Sequence, residues 1–150
     1  MIYFIETSYK KEYGEKKSTA VAKRLASVGL KGIENVECHT IYKIDADYTK
    51  TQAKEIAEKL LADPVLETYT FSPKTEKGAY KVEVWIRDSS TDVIAESVQD
   101  AIAFMGFTKP VVRCANAFNI KGSFTQAALE EAVKKTFVNE VVNKYSIVRG

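Results

Sequence analysis

Apolar residues along this chain follow two rhythms that alternate with each other. Ile2 to Ile5 form a compact apolar run that gives way to Glu6 and Ser8, the mark of a short strand. Beyond Gly14 and the run Glu15 to Ser18, Val21, Leu25 and Val28 recur at helical spacing with Ala22 and Ala26 beside them. Gly29 is expected to end that helix, because a left-handed residue there meets no Cβ clash. The stretch Ile33 to Ala46 alternates loosely through Val36, Cys38, Thr40, Tyr42 and Ile44. It predicts a strand long enough to bend and to invite pairing beyond its own subunit. Thr49 and Gln52 have the spacing of a capping box ahead of a helix whose apolar face is Ala53, Ile56, Ala57, Leu60 and Leu61. Pro64 stops that helix, and Val65 to Phe71 reads as a strand.

The same order then returns. Tyr80 to Arg87 predicts a strand, and a helix follows from about Asp92 with Ile94, Val98, Ile102 and Met105 on one face and Gly106 at its end. Val111 to Lys121 predicts the middle strand, Thr125 opens a helix with Leu129, Ala132, Val133 and Phe137, and Val141 to Val148 closes the series. A shift of 76 or 77 positions lays Ile5 on Val82, Leu25 on Ile102, Gly29 on Gly106, Cys38 on Cys114, Ile44 on Ile120 and Tyr69 on Tyr145. That period exceeds the solenoid range and suits a small domain in tandem. Most matched positions are apolar, so the chain carries two copies of a packing scheme, not of a catalytic site. The expected organisation is a first repeat at residues 1–72, a polar linker at 73–79, and a second repeat at 80–150. A single half of this size has a marginal core. The expectation is therefore an α+β fold in which two strand–helix–strand–helix–strand halves form one pseudo-twofold unit, with the helices on one face of a mainly antiparallel sheet.

Charge and candidate chemistry narrow the function. Lys and Arg number 22 against 20 Asp and Glu, with a net charge of +2 shared evenly between the halves. Nucleic-acid binders carry a basic stripe or a lopsided half. Here the basic cluster of Lys10, Lys11, Lys16 and Lys17 is broken by Glu12 and Glu15, so a solvated loop and helix start are expected, not a nucleic-acid partner. No apolar run approaches a membrane span. No leader-like segment precedes Ile2, so a cytoplasmic location is expected, with Cys38 and Cys114 as small buried hydrophobes and no disulfide. His39 is the one histidine; it adjoins Cys38 on the opposite strand face, and Ala115 replaces it in the second copy, so no metal site is expected. The seven glycines form no phosphate loop. Asp88 and Asp92 sit at a strand–helix junction, where Asp92 reads as a helix cap. No residue is assigned to catalysis, cofactor binding or metal binding. Tyr3, Phe4, Tyr9, Tyr13, Tyr42, Tyr48, Tyr69, Phe71, Tyr80, Trp85 and Phe118 lie largely in or beside strands, and balanced charge favours their packing in a core or protein interface over base stacking.

With the repeat and the element order in place, each half resembles PurS, the small subunit of phosphoribosylformylglycinamidine synthase. In the first copy the stretch Glu58 to Tyr69 is similar to that family's C-terminal pattern of a helix ending in Leu-Leu, an Asn/Asp-Pro turn and a strand reaching a tyrosine. The second copy keeps Asn139, Val141, Val142 and Tyr145 but has Glu140 in the proline position. Its front end, Val82 to Ile86, Asp92, Glu96 to Val98 and Met105 to Phe107, resembles the family's first strand, loop and helix, whereas Lys10 to Lys17 lacks the usual proline and aspartate. The resemblance covers residues 2–71 and 80–148, as in a PurS dimer fused into one polypeptide, like the N-terminal region of the large single-chain synthetase. It implies two ferredoxin-like-related subdomains and a non-catalytic part of a glutamine- and ATP-dependent ligase of purine biosynthesis. Such a part bridges the synthetase and glutaminase components, as separate partners or as downstream domains, and supports ammonia transfer, with further self-association. The resemblance implies no cofactor here, and ATP and Mg for the synthetase partner. From another class, a tandem ACT-like regulatory domain binding a small effector would favour a glycine-rich first strand–helix junction, where only Gly14 stands. The roles of Cys38, His39 and Cys114 stay open on the sequence.

Overall fold

The computed structural model of the chain describes residues 1–72 and 75–150. Among them the strands are β1 (Ile2–Tyr9), β2 (Ile33–Asp45), β3 (Glu67–Thr70), β4 (Tyr80–Ile86), β5 (Val111–Gly122) and β6 (Asn143–Arg149). The helices are α1 (Glu15–Ser27), α2 (Lys50–Ile56), α3 (Val93–Phe104) and α4 (Gln126–Phe137). All six strands join one antiparallel sheet in the order β3-β1-β2-β5-β4-β6. The helices pack on one face, giving an α+β fold consistent with ferredoxin-like topology. Of the expected linker at 73–79, Pro73 and Lys74 lie outside the described residues.

Strand register carries the sequence repeat. Ile5 pairs with Tyr42 and Thr7 with Tyr69; adding 77 on β1 and 76 elsewhere gives Val82 with Phe118 and Val84 with Tyr145, which also pair. In the central ladder, Cys38 faces Phe118 and Tyr42 faces Cys114, so a shift of 76 exchanges the two pairs. The loop from α3 to β5 absorbs the single-residue difference.

Caps and breakers act much as their chemistry requires. Thr49 and Gln52 form the reciprocal capping box, while Thr125 and Asp92 cap α4 and α3 through side-chain oxygens. Gly29 and Gly106 both take positive φ just past their helices, at +102° and +96°. α2 ends in a π-helical turn over Ala57–Leu61, ahead of Pro64.

Three expectations need correction. β2 and β5 are the two central strands of the sheet and pair with each other from Ile33 to Asp45, so only the ends that run past β1 and β4, Ile33 to Cys38 of β2 and Val111 to Cys114 of β5, lack a partner strand on their other side. The last strand of each half starts late, since Val65 and Val141 stand exposed in the preceding turns, bonded to Asp63 and Asn139. On α3 the buried stripe is Ala95 and Ile102 with Val98 and Met105 against the core, whereas Ile94 is exposed, one helical step off that face.

The core is divided, but not between the halves. One cluster joins Val21 and Leu25 of α1 to Leu129, Ala132 and Val133 of α4 over Val36, Val82, Phe118 and Ile120. The other joins Ile56 of α2, with Leu61, to Ala95 and Ile102 of α3 over Ile5, Ile44 and Val112. The first helix of each half therefore packs beside the second helix of the other. Arg24 reinforces one crossing by donating to Thr136 O and lying over the Phe137 ring. Tyr48 reinforces the other by donating to Thr108 O and packing on Phe107. Each fully buried Leu or Ile in these clusters contributes on the order of 1.5–3 kcal/mol.

Candidate functional site

The residues with chemical potential fall in three places. Cys38 and Cys114 are free and buried on the helix-covered face. In the β2·β5 ladder Cys114 lies four positions from Phe118, the partner of Cys38, roughly 13 Å along the strand and too far for a disulfide. Burial pushes the Cys38 thiol up against the opposing pull of Lys17 and Ser18. Burial, with the Asp92 carboxylate beside it, pushes Cys114 up to about 12. Neither thiol is a ready thiolate nucleophile.

The second place is the start of α3. Asp92 is buried; its Oδ1 accepts from Ala95 N at 3.0 Å, and its Oδ2 accepts from Cys114 N at 2.9 Å. The carboxylate thus caps α3 and also satisfies a β5 edge N–H. Gln99 Oε1 accepts from the next inward N–H of that edge, Val112, at 2.8 Å. Asp88 stays at the surface, with Arg113 3.5 Å away. The cap role expected for Asp92 holds, and the strand bond extends it.

The third place is the sheet face that no helix covers. Glu6 and Lys81 meet there at 2.9 Å, although β2 and β5 lie between their strands, and both side chains are only 6% exposed. The approach is an ion pair off the hydrogen-bond direction, which leaves Glu6 Oε1 without a hydrogen-bond partner. Asn119 Nδ2 lies 3.2 Å from His39 Nε2, and Glu37 is 3.5 Å from the same imidazole. A recess of about 310 Å³ is lined by Glu6, Glu37, His39 and Asn119 together with Ser8, Thr68 and Glu76. Trp85 covers Ile41, Ala115 and Ala117 on the same face and donates to Glu83 Oε1 at 3.0 Å. Among the described residues no group of three or more His, Cys, Asp and Glu converges as a metal site. The Glu6–Lys81 pair escapes sequence reading because alternating polar residues on a strand signal a wetted face; the alignment of Glu6 with Glu83 is the one hint. Of the strand aromatics, Tyr80 and Phe118 sit inside the helix-side core and Phe4 stands exposed on the open face.

The turns before β3 and β6 share one chemistry. Asp63 Oδ1 accepts from Val65 N at 2.8 Å and Leu66 N at 3.0 Å, and these backbone donors hold its carboxyl below the ordinary range. Asn139 Oδ1 accepts from Val141 N at 3.1 Å. Glu67 and Asn143 close the turns by accepting from Asp63 N and Asn139 N. This explains why an Asp or Asn is required there and why Glu140 can replace Pro64: the side-chain oxygen makes the turn, not the proline.

That motif lies inside the segment that resembles a known family. Residues 4–75 match the PurS family of phosphoribosylformylglycinamidine (FGAM) synthase. The match runs from β1 past β3 and includes the Asp63 turn. No curated protein matches the chain. Residues 80–150 lie outside the PurS match but repeat its element order and register. The likeness to PurS therefore rests on the first half of the chain, residues 4–75. No helix of the described residues is long and apolar enough to cross a membrane.

Proposed function

We propose that this chain is a tandem PurS-like module, two repeats at residues 1–72 and 80–150 joined by 73–79 about a pseudo-twofold axis. It serves FGAM synthase without catalysing a step of its own. It holds the glutaminase and ATP-dependent synthetase parts in register, so that ammonia released by one reaches the other. The observation that carries the reading is the PurS match over residues 4–75 combined with a strand register that repeats in the second half. The crossed helix packing supports it, because two PurS-like halves sharing both cores behave as one rigid spacer. The open sheet face, with its recess and Trp85, offers contact surface to a partner. ATP and Mg belong to the synthetase part, and the module works in the cytoplasm.

The test separates ammonia from glutamine as nitrogen donor. Removing the module, or leaving it out of a mixture of synthetase and glutaminase components, should impair synthesis driven by glutamine while sparing synthesis driven by added ammonium. Free ammonia needs no docked route, whereas glutamine-derived ammonia does. Retention of full glutamine-dependent activity without the module would defeat the proposal.

A further inference from the structure

The two halves differ at one structural point that the core does not explain. β1 pairs with β2 only as far as Ser8 with His39, so the rest of that β2 edge, back to Ile33, has no partner strand. β4 likewise pairs with β5 only as far as Trp85 with Ala115. In the second half the chain closes the exposed edge itself: Cys114 N–H donates to Asp92 and Val112 N–H to Gln99. The ladder alternates which side each N–H faces, so the equivalent donor of Val36 also turns away from β5. The residues matching Asp92 and Gln99 are Glu15 and Ala22. Alanine has no acceptor, and Glu15 is exposed in the first turn of α1. Among the described residues no side chain accepts from Val36 N–H, although Val36 is only 4% exposed.

In place of a plug there is a groove. It has a volume of about 1240 Å³ and runs between α1 and β2, past Gly14, Ser18, Ala22, Ala26, Leu30 and Val36. It exceeds the roughly 300–1,000 Å³ of small-ligand pockets and follows a strand edge for about 20 Å, a shape suited to an extended peptide. We propose that this groove receives an extended segment of a partner protein as an added strand on β2, carrying alternate acidic and apolar residues. The backbone of the segment would take up the unpaired edge. Its apolar side chains would occupy the space that Ala22 and Ala26 leave beside Leu30. Its carboxylates follow from the second half, where Asp92 places one against the equivalent edge, and from Lys10, Lys11, Lys23 and Lys31 in the groove wall, which outnumber Glu15, Glu34 and Glu37. The inference rests on edge geometry and stands independently of the FGAM synthase reading.

The experiment compares the parent chain with Ala22→Gln, which rebuilds the second half's own acceptor. The probe is a fluorescein-labelled peptide of about six residues alternating aspartate and valine, long enough to span the open edge; a lysine–valine peptide is the control. Anisotropy reports binding and amide NMR reports its place. The aspartate peptide should bind at least about tenfold tighter than the control, a difference of about 1.4 kcal/mol. It should shift the Val36 and Cys38 amides, and Ala22→Gln should weaken it by at least a similar factor while melting no lower than the parent. Hydrogen exchange adds a peptide-free check, with Val36 exchanging faster than Val112 in the parent and slowing in Ala22→Gln. Equal binding of both peptides, shifts confined to the outer strands β3 or β6, unchanged binding by Ala22→Gln, or equal protection of Val36 and Val112 would each overturn the proposal.

Discussion

Replacing Asp92 with alanine tests how much of the closed edge in the second half rests on its carboxylate. Two bonds go at once. The α3 cap is lost, worth about 1 kcal/mol in typical helices. The Cys114 N–H, buried and bonded only to Oδ2 on that side, is left without an acceptor, at a cost of about 1–3 kcal/mol. The expected destabilisation is about 2–4 kcal/mol. Asn at position 92 keeps one oxygen and turns its amide toward the other donor, so Asp92→Asn should fall between wild type and alanine. Glu15→Ala, the matched change in the first half, removes an exposed side chain and should stay within about 0.5 kcal/mol. Urea unfolding separates these outcomes: with a slope of about 2 kcal/mol/M, the Asp92→Ala midpoint should drop by about 1–2 M at unchanged slope. Loss of exchange protection at the Cys114 amide should accompany it. An Asp92→Ala loss below about 1 kcal/mol, or a Glu15→Ala loss of equal size, would refute the assignment of both bonds.

Other consequences follow from the same geometry. Residues 1–72 alone should not give a folded monomer, because the core partners of Val21 and Leu25 include Val82, Phe118, Ile120 and Leu129; circular dichroism with light scattering should find unfolded or self-associated chain, and a folded monomer would contradict the crossed cores. Lys81→Met should cost about 3–5 kcal/mol by stranding the buried Glu6 carboxylate, whereas Glu6→Leu with Lys81→Met should recover most of that loss in thermal or chemical unfolding. The carboxyl of Asp63 is depressed in the folded chain, so its contribution is present above its ordinary value of 3.8 and fades as pH falls through the lower folded value. Asp63→Asn should flatten that acid limb, and an unchanged acid profile would show that the turn bonds do not discriminate charge.

How much of this was legible in the sequence depends on the range of the interaction. The caps at Thr49, Asp92 and Thr125 and the terminal glycines act within a few residues, and their spacing announced them. The repeat was legible because each half must keep the same apolar register, and the pairings reproduce it. What failed was whatever depends on the partner half. The length of β2 and β5 signalled exposed pairing potential, but most of it is met inside the chain, where the two strands pair with each other, and only their ends beyond β1 and β4 stay open. Ile94 fits a helical period as well as Ala95 does, and only the position of α2 and the sheet decides which side is buried. The Glu6–Lys81 pair is a meeting of residues 75 positions apart on non-adjacent strands, for which no local pattern exists.

The distribution of differences between the halves is itself a physical result. Core positions match closely because each core draws on both halves, so a change in Leu25 is felt by α4 as much as by α1. Surface pairs are free to invert: Lys54 and Glu58 on one side correspond to Glu130 and Lys134 on the other. Yet Tyr69 and Tyr145 each still donate to a glutamate at 2.7 Å, so the bond survives while the order of charges reverses. The plugged and unplugged strand edges belong to neither class. A buried strand donor is costly to leave unpaired, and Asp92 and Gln99 show that this fold has an internal way to pair it. In an assembly of identical chains both edges would have to share one solution. In a single chain they are free to differ, and here the first half leaves unfilled the edge that the second half fills. That is the arrangement expected if the β2 edge meets its acceptor from outside the chain.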